Sequence, residues 1–304
     1  MIRFHDTTKR FRATLAVDRL TVTIAPGEVV AVLGPNGSGK TTTMKMAAGL
    51  VRPDSGSVTL GEPALPAWDP RARRALSFLP QRVAFPEALS GREVVEFYRR
   101  LRGAGTAQAD AVLRFASLNG AGERAVGTYS GGMLQRLGLA VAMLPEANAL
   151  LLDEPTAALD PEGLCALYGL VAHRRSQGRT VVFTSHQVND VELADRVLIM
   201  ARGRLAGEFT REQLRAWRDA HGVMRVRPDR APSQVIAAVR EAAPSAVVRM
   251  DEIWVPGSGA ARAAALEAIR ASGAAIIGLT ADEGRLEVLY AELLARAAPE
   301  TVHE

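Results

Sequence analysis

The chain begins with alternating apolar and polar positions and then changes to short, continuous apolar runs. Residues 15–24 alternate in polarity, and after a turn residues 29–33 are all apolar. Alternation with a period of two predicts a half-buried strand, whereas a short unbroken apolar run predicts a strand that is buried on both faces. Two more such runs, at residues 149–152 and 181–183, end in polar residues. We therefore predict a mostly parallel buried sheet with functional groups at the carboxyl ends of its strands.

Segments with helical spacing lie between these runs. Residues 40–50 fit a helix that ends near a glycine, and residues 91–103 carry apolar side chains at intervals of three and four. Residues 161–178 form a third such segment, and residues 77–80 suit another short strand. Strands that alternate with helices are typical of α/β domains. We therefore predict one α/β domain over residues 1–215, built on a mostly parallel core sheet.

The pattern changes in the last part of the chain. Strand-like and helical segments follow in the order strand, helix, strand, optional second strand, helix, strand, with one more helix at the end. This order is that of a split βαβ unit. It predicts a small α+β domain over residues 222–304.

Composition narrows the class of protein without identifying it. The 304 residues are 48% hydrophobic and 23% charged, which is typical of a globular chain. The net charge of +4 rests on arginine, since lysine occurs only at positions 9, 40 and 45, and no basic tract interleaved with aromatic residues predicts direct binding of nucleic acid. The single cysteine, Cys165, excludes an internal disulfide framework and any multi-cysteine metal site, and we predict that it is a small core residue.

The sequence has no segment with the features of a membrane span or a secretory signal. The first ten residues lack an apolar region, and no run of about 18 apolar residues occurs. We expect a cytoplasmic chain whose membrane contact is made only through a partner.

Residues 34–42, with the sequence GPNGSGKTT, follow a predicted buried strand and begin a predicted helix. Gly34, Gly39, Lys40 and Thr41 match the phosphate-loop pattern G-x-x-x-x-G-K-[ST]. Such glycines let backbone N–H groups turn inward around a phosphate, and the helix N-terminus adds its positive end. The lysine would reach the β- and γ-phosphates, and the threonine hydroxyl would bind Mg²⁺. The alternative is a glycine-rich turn that carries a surface lysine.

An acidic pair, Asp153 and Glu154, comes directly after the apolar run at residues 149–152. Taken alone, such a pair is more often a helix cap or a solvated turn. Together with a phosphate loop, it predicts that Asp153 contacts the Mg²⁺ shell. Glu154 would then polarise a water molecule for in-line attack on the γ-phosphate.

A second candidate anion site lies in YSGGMLQR, residues 129–136. Ser130, Gly131 and Gly132 stand where this segment begins a helix, and a serine with two glycines at a helix N-terminus suits a phosphate. The signal is weak by itself because capped helices are common. A chain that binds one ATP does not need a second such element unless that element serves another subunit.

The first 215 residues or so resemble the nucleotide-binding domain of ABC transporters, whose motifs occur here in the family's order. These motifs are GPNGSGKT, Gln81 in FLPQ, YSGGM, LLLDEP, AALD at residues 157–160, and His186 in TSH. The resemblance implies a P-loop ABC ATPase fold with an antiparallel β subdomain and a helical subdomain. It implies ATP and Mg²⁺ as cofactors. It also implies a homodimer of ATPase subunits and a transmembrane permease subunit as partners, at the inner face of the cell membrane.

The resemblance also implies roles for individual residues. The nucleotide-binding set is Phe11, Gly34, Asn36, Gly37, Ser38, Gly39, Lys40, Thr41, Thr42, Ser130, Gly131, Gly132 and Asp160. The Mg²⁺ set is Thr41, Gln81 and Asp153, and the catalytic set is Glu154, His186 and Gln81. Within these sets, Ser130 and the glycines after it would contact the γ-phosphate of ATP held by the opposite subunit, and Asp160 would cross the dimer interface. Phe11 would lie under the adenine, with a core phenylalanine as the alternative.

One motif departs from the family's usual LSGGQ, since Met133 stands in the place of the glutamine. The serine and glycines that supply phosphate donors are kept, so contact with ATP should survive. A methionine at this position resembles the exporter-type ABC-2 subgroup. Members of that subgroup also have a C-terminal extension, which fits residues 222–304. We expect this extension to serve in dimerisation or regulation. The stretch around TSHQVNDVELADRV also looks like the ATPase that works in nitrous oxide reductase maturation and copper supply.

Two other functions compete with transport. A soluble ABC ATPase that acts on nucleic acid or ribosomes usually has a second such domain or long coiled coils, which this chain lacks. A nucleotide-gated regulatory module without turnover would not need Glu154 and His186. An ATPase subunit that drives a membrane transporter is the favoured hypothesis.

Overall fold

The computed structural model of the chain describes residues 1–118, 120–157 and 159–296. Contacts within the chain divide it into two compact units, Met1–Glu208 and Phe209–Glu304. The division lies slightly before the boundary expected at residue 215, because the helix Arg211–Ala220 belongs to the second unit.

The first unit consists of two sheets and a group of helices. Its strands are β1 (Ile2–Phe11), β2 (Thr14–Ile24), β3 (Val29–Leu33), β4 (Ser55–Leu60), β5 (Leu65–Pro66), β6 (Leu76–Leu79), β7 (Ala149–Leu152), β8 (Thr180–Ser185), β9 (Arg196–Ala201) and β10 (Arg204–Thr210). Its helices are α1 (Lys40–Ala47), α2 (Pro70–Arg74), α3 (Gly91–Leu101), α4 (Gln108–Phe115), α5 (Gly131–Met143) and α6 (Pro161–Ser176).

The larger sheet has the strand order β10-β9-β3-β8-β7-β6. β3 pairs in parallel with both β8 and β9, and β7 pairs in parallel with both β6 and β8. Every residue of β3 and β8 is buried, as the apolar run of each strand predicts, and in β8 the burial extends to the hydroxyl residues at its ends. The predicted mostly parallel core sheet is confirmed, and this strand order brings the carboxyl ends of β3, β8 and β7 side by side.

The smaller sheet, with the order β2-β1-β4-β5, is antiparallel. Its buried side chains, such as Ile2, Phe4 and Val58, pack in one cluster with Val32 and Val182 of the parallel sheet. Of these strands, the sequence pattern predicts β2 but not β1, β4 or β5. In β1 the alternation is broken by register shifts and by Asp6, which has a positive φ of 44°.

The helical part of the first unit has its own core. Side chains of α3, α4 and α5 meet in a cluster that includes Val94, Val95, Leu113 and Leu137. α3 begins with a capping box between Ser90 and Glu93, which fixes the end of the helix. The expected antiparallel and helical subdomains are therefore both present.

Cys165 is exposed on α6, so the prediction of a core cysteine is wrong. Its immediate helix neighbours Ala166 and Leu167 are buried, at 7% and 1% exposure, and take the inward positions. A residue one step away along a helix is rotated by about 100°, which places the thiol on the outer face.

The second unit is a four-stranded antiparallel sheet with helices. Its elements are α7 (Arg211–Ala220), β11 (Val223–Pro228), α8 (Ile236–Ala242), β12 (Val247–Arg249), β13 (Glu252–Pro256), α9 (Gly259–Ala271), β14 (Ile276–Asp282) and α10 (Leu286–Arg296). The order β12-β13-β11-β14 places β13 between β11 and β12, which is the split βαβ arrangement that the sequence predicts. Met224, Val226, Ile253 and Val255 pack with α8 and α9 side chains in a purely apolar core.

Candidate functional site

The segment between β3 and α1 forms a tight loop that only glycine permits at two points. A Cβ on Gly34 would lie 2.2 Å from the Ser38 hydroxyl oxygen, and one on Gly39 would lie 2.4 Å from the Ala16 carbonyl oxygen. Gly39 also has a φ of 104°, which L side chains rarely adopt. Asn36 lies at the exposed apex of this loop. The backbone therefore has the close turn into a helix N-terminus that a phosphate requires.

The Lys40 ammonium lies inside this loop. Its Nζ donates to the carbonyl oxygens of Gly34 at 2.7 Å and Pro35 at 3.2 Å, and the side chain is only 4% exposed. Nζ is also 3.5 Å from Oε1 of Glu154. A buried cation is stable only with such partners, so its charge is held at the place where phosphate oxygens would lie.

Asp153 joins three segments through one carboxylate oxygen. Oδ1 accepts hydrogen bonds from the Thr184 hydroxyl at 2.7 Å and from the Thr41 hydroxyl at 3.1 Å. Burial raises the pKa of Asp153, and the two threonine hydrogen bonds oppose that rise. The other oxygen, Oδ2, is buried without a hydrogen-bond partner among the described residues.

This donor set fits Mg²⁺. A hard divalent cation takes oxygen ligands and commonly binds through one or two carboxylates with phosphate oxygens completing the shell. The unpartnered Oδ2 of Asp153 and the adjacent Thr41 hydroxyl supply such oxygens. The described residues contain no group of three or more histidine, cysteine or acidic side chains able to hold a metal alone.

Glu154 is the residue on which the catalytic set converges. Its Oε2 accepts a hydrogen bond from Nε2 of Gln81 at 2.7 Å and lies 3.9 Å from Nδ1 of His186. Its backbone N–H donates to the Thr184 hydroxyl at 2.7 Å. Glu154 has a φ of 47°, a left-handed conformation that is uncommon outside glycine and that is held only where the surroundings enforce it. The structure therefore brings together Lys40, Gln81, Glu154 and His186 from four separate segments.

The YSGGM segment is a second, separate element. Ser130 caps α5 by accepting a hydrogen bond from the Met133 N–H at 3.2 Å, and Gly131 follows on an exposed first turn. Gly131 has no atom within 4 Å of the place where a Cβ would stand, so the surface above it is open. Among the described residues, no hydrogen bond or ion pair joins Ser130 to Lys40 or Glu154.

Comparisons with known proteins agree with this arrangement. The profile of the family described as ABC transporter matches residues 17–157. The chain is 37% identical over 213 residues to the "Nod factor export ATP-binding protein I" of Burkholderia lata, covering 68% of this chain and 70% of that protein. The chain belongs to the ABC transporter ATP-binding proteins. It is therefore an ATPase subunit of an ABC transporter, with an ATP-binding cassette as its first unit.

Two further comparisons support the assignment of the cassette. The chain is 36% identical over 213 residues to the "Daunorubicin resistance ATP-binding protein DrrA3" of Streptomyces coeruleorubidus, covering 68% of this chain and 67% of that protein. A solved dimer of an ATP-binding cassette bound to ADP and Pi matches with a TM-score of 0.65 and 25% identity, over 69% of this chain and 98% of that chain. In the described part of the chain, no helix is long and apolar enough to cross a bilayer.

Two predicted nucleotide residues of the cassette have surroundings that bear on their roles. Phe11 is 47% exposed at the end of β1 with the Lys9 ammonium 5.3 Å from its ring centroid, so it is not a core phenylalanine. Stacking of Phe11 on adenine remains a prediction. Asp160 caps α6 by accepting the Gly163 N–H at 2.8 Å and lies 3.3 Å from Arg136, so its carboxylate already has partners within its own chain. Its crossing of a dimer interface also remains a prediction.

Sequence reasoning missed Thr184 and Arg136. Thr184 is fully buried and links Asp153 to the Glu154 backbone, and the available signal was a hydroxyl at the end of an apolar strand. Arg136, on the helix that begins at Ser130, is 7% exposed and binds Glu162 at 2.8 Å near the start of α6. Its signal was the single charged residue of α5.

Proposed function

We propose that this subunit binds Mg-ATP at two composite sites of a head-to-tail homodimer and drives conformational change in a separate transmembrane permease. The observation that carries the proposal is the separation of the two phosphate-binding elements. The loop at Lys40 lies in the same site as Glu154, whereas Ser130 lies at the exposed start of α5. Among the described residues, Ser130 makes no hydrogen bond with the Lys40 loop. A second copy would supply the missing half of each site, and the γ-phosphate would bridge the two surfaces.

Within each composite site, the residues of this chain have distinct tasks. Lys40 would bind the β- and γ-phosphate oxygens, and Thr41 with Asp153 would hold Mg²⁺, assisted by Gln81. When bound, Mg²⁺ would neutralise the charge that develops on the phosphates. Glu154 would accept a hydrogen bond from the attacking water, and His186 would contact the γ-phosphate. The short distances among these side chains support their action as one unit.

A groove on the cassette suits a permease segment. Its volume is about 400 Å³, and Leu50, Phe78, Arg73, Arg74 and Arg102 line it. Apolar side chains beside three arginines favour an acidic segment with an apolar anchor. The groove adjoins β6, whose end leads to the glutamine of the catalytic set. Reversing charge with Arg73→Glu and Arg74→Glu should release the subunit from membranes that contain its permease while ATP affinity stays unchanged.

Export is the transport direction that the relatives favour. The two curated relatives described above are named for daunorubicin resistance and for Nod factor export. Neither name concerns copper supply or nitrous oxide reductase, so that hypothesis receives no support from them. Docking on a permease would place the chain at the cytoplasmic face of the cell membrane. The near balance of charge in the chain favours this over action on nucleic acid or ribosomes.

The composite-site proposal is tested by Glu154→Gln, which should block water activation and keep the phosphate contacts. Mg-ATP should then trap a stable dimer, measured by size-exclusion chromatography with light scattering. Adding Ser130→Arg should abolish the trap because the long side chain would fill the shared site. Ser258→Arg is the matched control, since Ser258 caps α9 by the same kind of hydrogen bond in the other unit.

The trap should survive Ser258→Arg. If Glu154→Gln stays monomeric at saturating Mg-ATP, even with its permease present, the composite-site mechanism is wrong for this protein.

A further inference from the structure

Asp190 is a buried carboxylate that none of the predicted sets of site residues includes. It is 5% exposed and lies in the 3₁₀ segment Val188–Leu193, just after His186. Its Oδ2 accepts hydrogen bonds from the Ser185 hydroxyl at 2.5 Å and from the Thr156 hydroxyl at 3.0 Å. Among the described residues it has no ion pair with a basic side chain. Burying a carboxylate that has only hydroxyl groups as hydrogen-bond donors lowers the stability of the folded protein. Such a group is therefore a candidate for a functional role.

The two hydroxyl donors belong to the two catalytic loops. Ser185 directly precedes His186, and its Oγ also accepts the Gln187 N–H at 2.9 Å, so the backbone is held on both sides of the histidine. Thr156 comes two residues after Glu154, in the turn where Glu154 adopts its left-handed φ of 47°. One oxygen of Asp190 therefore joins the histidine loop to the glutamate turn.

Asp190 contacts these two hydroxyls, and among the described residues it makes no hydrogen bond to the His186 or Glu154 side chain. The Thr184 hydroxyl, two residues before His186, already holds the Glu154 backbone N–H at 2.7 Å. The His186 side chain itself is 46% exposed, and among the described residues it approaches Glu154 only through the 3.9 Å distance from Nδ1 to Oε2. An exposed side chain at that distance is weakly restrained by its own contacts. Its position relative to Glu154 therefore depends on the backbone connection beneath it.

We propose that Asp190 is a positioning residue that holds the His186 loop against the Glu154 turn, so that γ-phosphate contact and water activation occur in one fixed geometry. The proposal rests on the roles of His186 and Glu154 given under the proposed function. It assigns to Asp190 an effect on turnover with little effect on nucleotide binding, because the phosphate loop at Lys40 makes its contacts independently of Asp190.

The convergence of both hydrogen bonds on a single oxygen makes the test specific. Asn at position 190 can present its one carbonyl oxygen to both hydroxyls, whereas Ala presents none. Asp190→Ala should lower kcat on the order of 10- to 100-fold, as expected for a displacement of about 1 Å between catalytic groups. KM and ATP affinity should stay within about twofold. Asp190→Asn should restore most of the lost turnover.

Variants of the donors extend the test if Asp190→Ala folds poorly. Thr156→Val and Ser185→Ala should each lower kcat, and each should add little to Asp190→Ala because they remove the same connection. Thr7→Val is the matched control. Thr7 is fully buried and donates to the Ser57 carbonyl oxygen at 2.8 Å, in the antiparallel sheet. The Thr7→Val variant should lose about as much folding stability as Thr156→Val, but its kcat should stay at the wild-type value.

The measurements are steady-state ATP hydrolysis, nucleotide titration and thermal melting of the full chain, with Glu154→Gln alongside. A kcat within twofold of wild type for Asp190→Ala would overturn the proposal. So would an Asp190→Asn variant as impaired as Asp190→Ala, or a loss of ATP affinity equal to the loss of kcat. If Glu154→Gln itself hydrolysed ATP at the wild-type rate, the catalytic assignment would fail, and the positioning role would fail with it.

Discussion

The two units of this protein bury different kinds of side chain. In Met1–Glu208 the buried residues include Lys40, Arg136, Asp153, Glu154 and Asp190, together with several hydroxyl and amide side chains. Among residues 209–296, the described part of the second unit, the buried side chains are all apolar.

The difference concerns buried polar groups, which lower folding stability and supply the side chains of the candidate site. A buried charge or unpaired polar atom lowers stability unless its partners compensate, so such groups collect where a site needs them. Two buried polar atoms at the phosphate loop, the Ser38 hydroxyl and Asp153 Oδ2, have no hydrogen-bond partner among the described residues, and the second unit has such an atom at the Tyr290 hydroxyl. The second unit has an apolar core, and its role in dimerisation or regulation remains a prediction. The following predictions test this contrast.

The largest effect is expected from Lys40→Ala in the cassette. Lys40 is the one cation buried in the phosphate loop of the described chain, so hydrolysis should be abolished. ATP affinity should fall on the order of 10- to 100-fold, the size expected for a hydrogen bond to a charged group. Nucleotide titration and ATPase assays would measure both effects. Lys45→Ala, on the exposed side of the same helix, is the control, and equal behaviour of the two variants would contradict the phosphate-loop assignment.

Asp153→Asn should separate stability from activity. Hydrolysis should fall at least about 100-fold, since metal charge stabilisation is worth several kcal/mol. The melting temperature of the nucleotide-free protein should rise at neutral pH. The single amide oxygen can still accept the Thr41 and Thr184 hydroxyls, and the buried negative charge is gone.

The pH dependence of that stabilisation follows from the direction of the pKa shift. Burial raises the folded-state pKa of Asp153 above the ordinary value of 3.8, so ionisation lowers wild-type stability as pH rises above the unfolded-state pKa. The gain in melting temperature for Asp153→Asn should therefore shrink as pH falls toward 4, where Asp153 becomes protonated. A gain that grows at low pH would contradict this account.

Ile253→Ala tests whether the second unit is energetically separate from nucleotide binding. Ile253 is fully buried in the apolar core, and its truncation should cost about 2–5 kcal/mol of stability in that unit. ATP affinity should remain unchanged, because every nucleotide motif lies before residue 208. Denaturant unfolding and nucleotide titration would measure the two quantities. Leu151→Ala, in β7 beside Asp153, is the cassette counterpart and should reduce both.

The smallest effect is expected from Met133→Gln. The cap on Ser130 uses the backbone N–H of residue 133, which the substitution keeps, and the side chain is only half buried. Turnover should change by no more than about twofold, with ATP affinity intact. Loss of ATP-dependent dimerisation in this variant would show that the methionine itself is required.

The elements that sequence predicted best are those with an uninterrupted local pattern. The apolar runs of β3 and β8 and the helical spacing of α3 gave correct elements. The missed strand β4 has mixed polarity and small residues because it lies in an antiparallel sheet with one face toward solvent, and β5 has only two residues, too few for a pattern. Cys165 was misplaced because its neighbours on the helix are apolar, and a single-residue rotation decides which side chain is buried.

By itself, the sequence determined the phosphate loop. The loop needs glycine at positions 34 and 39 and a helix that begins at Lys40, and these requirements depend only on the local backbone conformation. The sequence also determined the alternation of strands and helices and the presence of two units. Only the tertiary structure decided that Gln81 and His186 meet at Glu154, and that Asp190 joins Ser185 to Thr156. Those contacts depend on the strand order β3-β8-β7-β6, which places carboxyl ends from distant parts of the chain side by side. Local propensity carries no information about that order, because it is set by packing between layers that are formed by the whole unit.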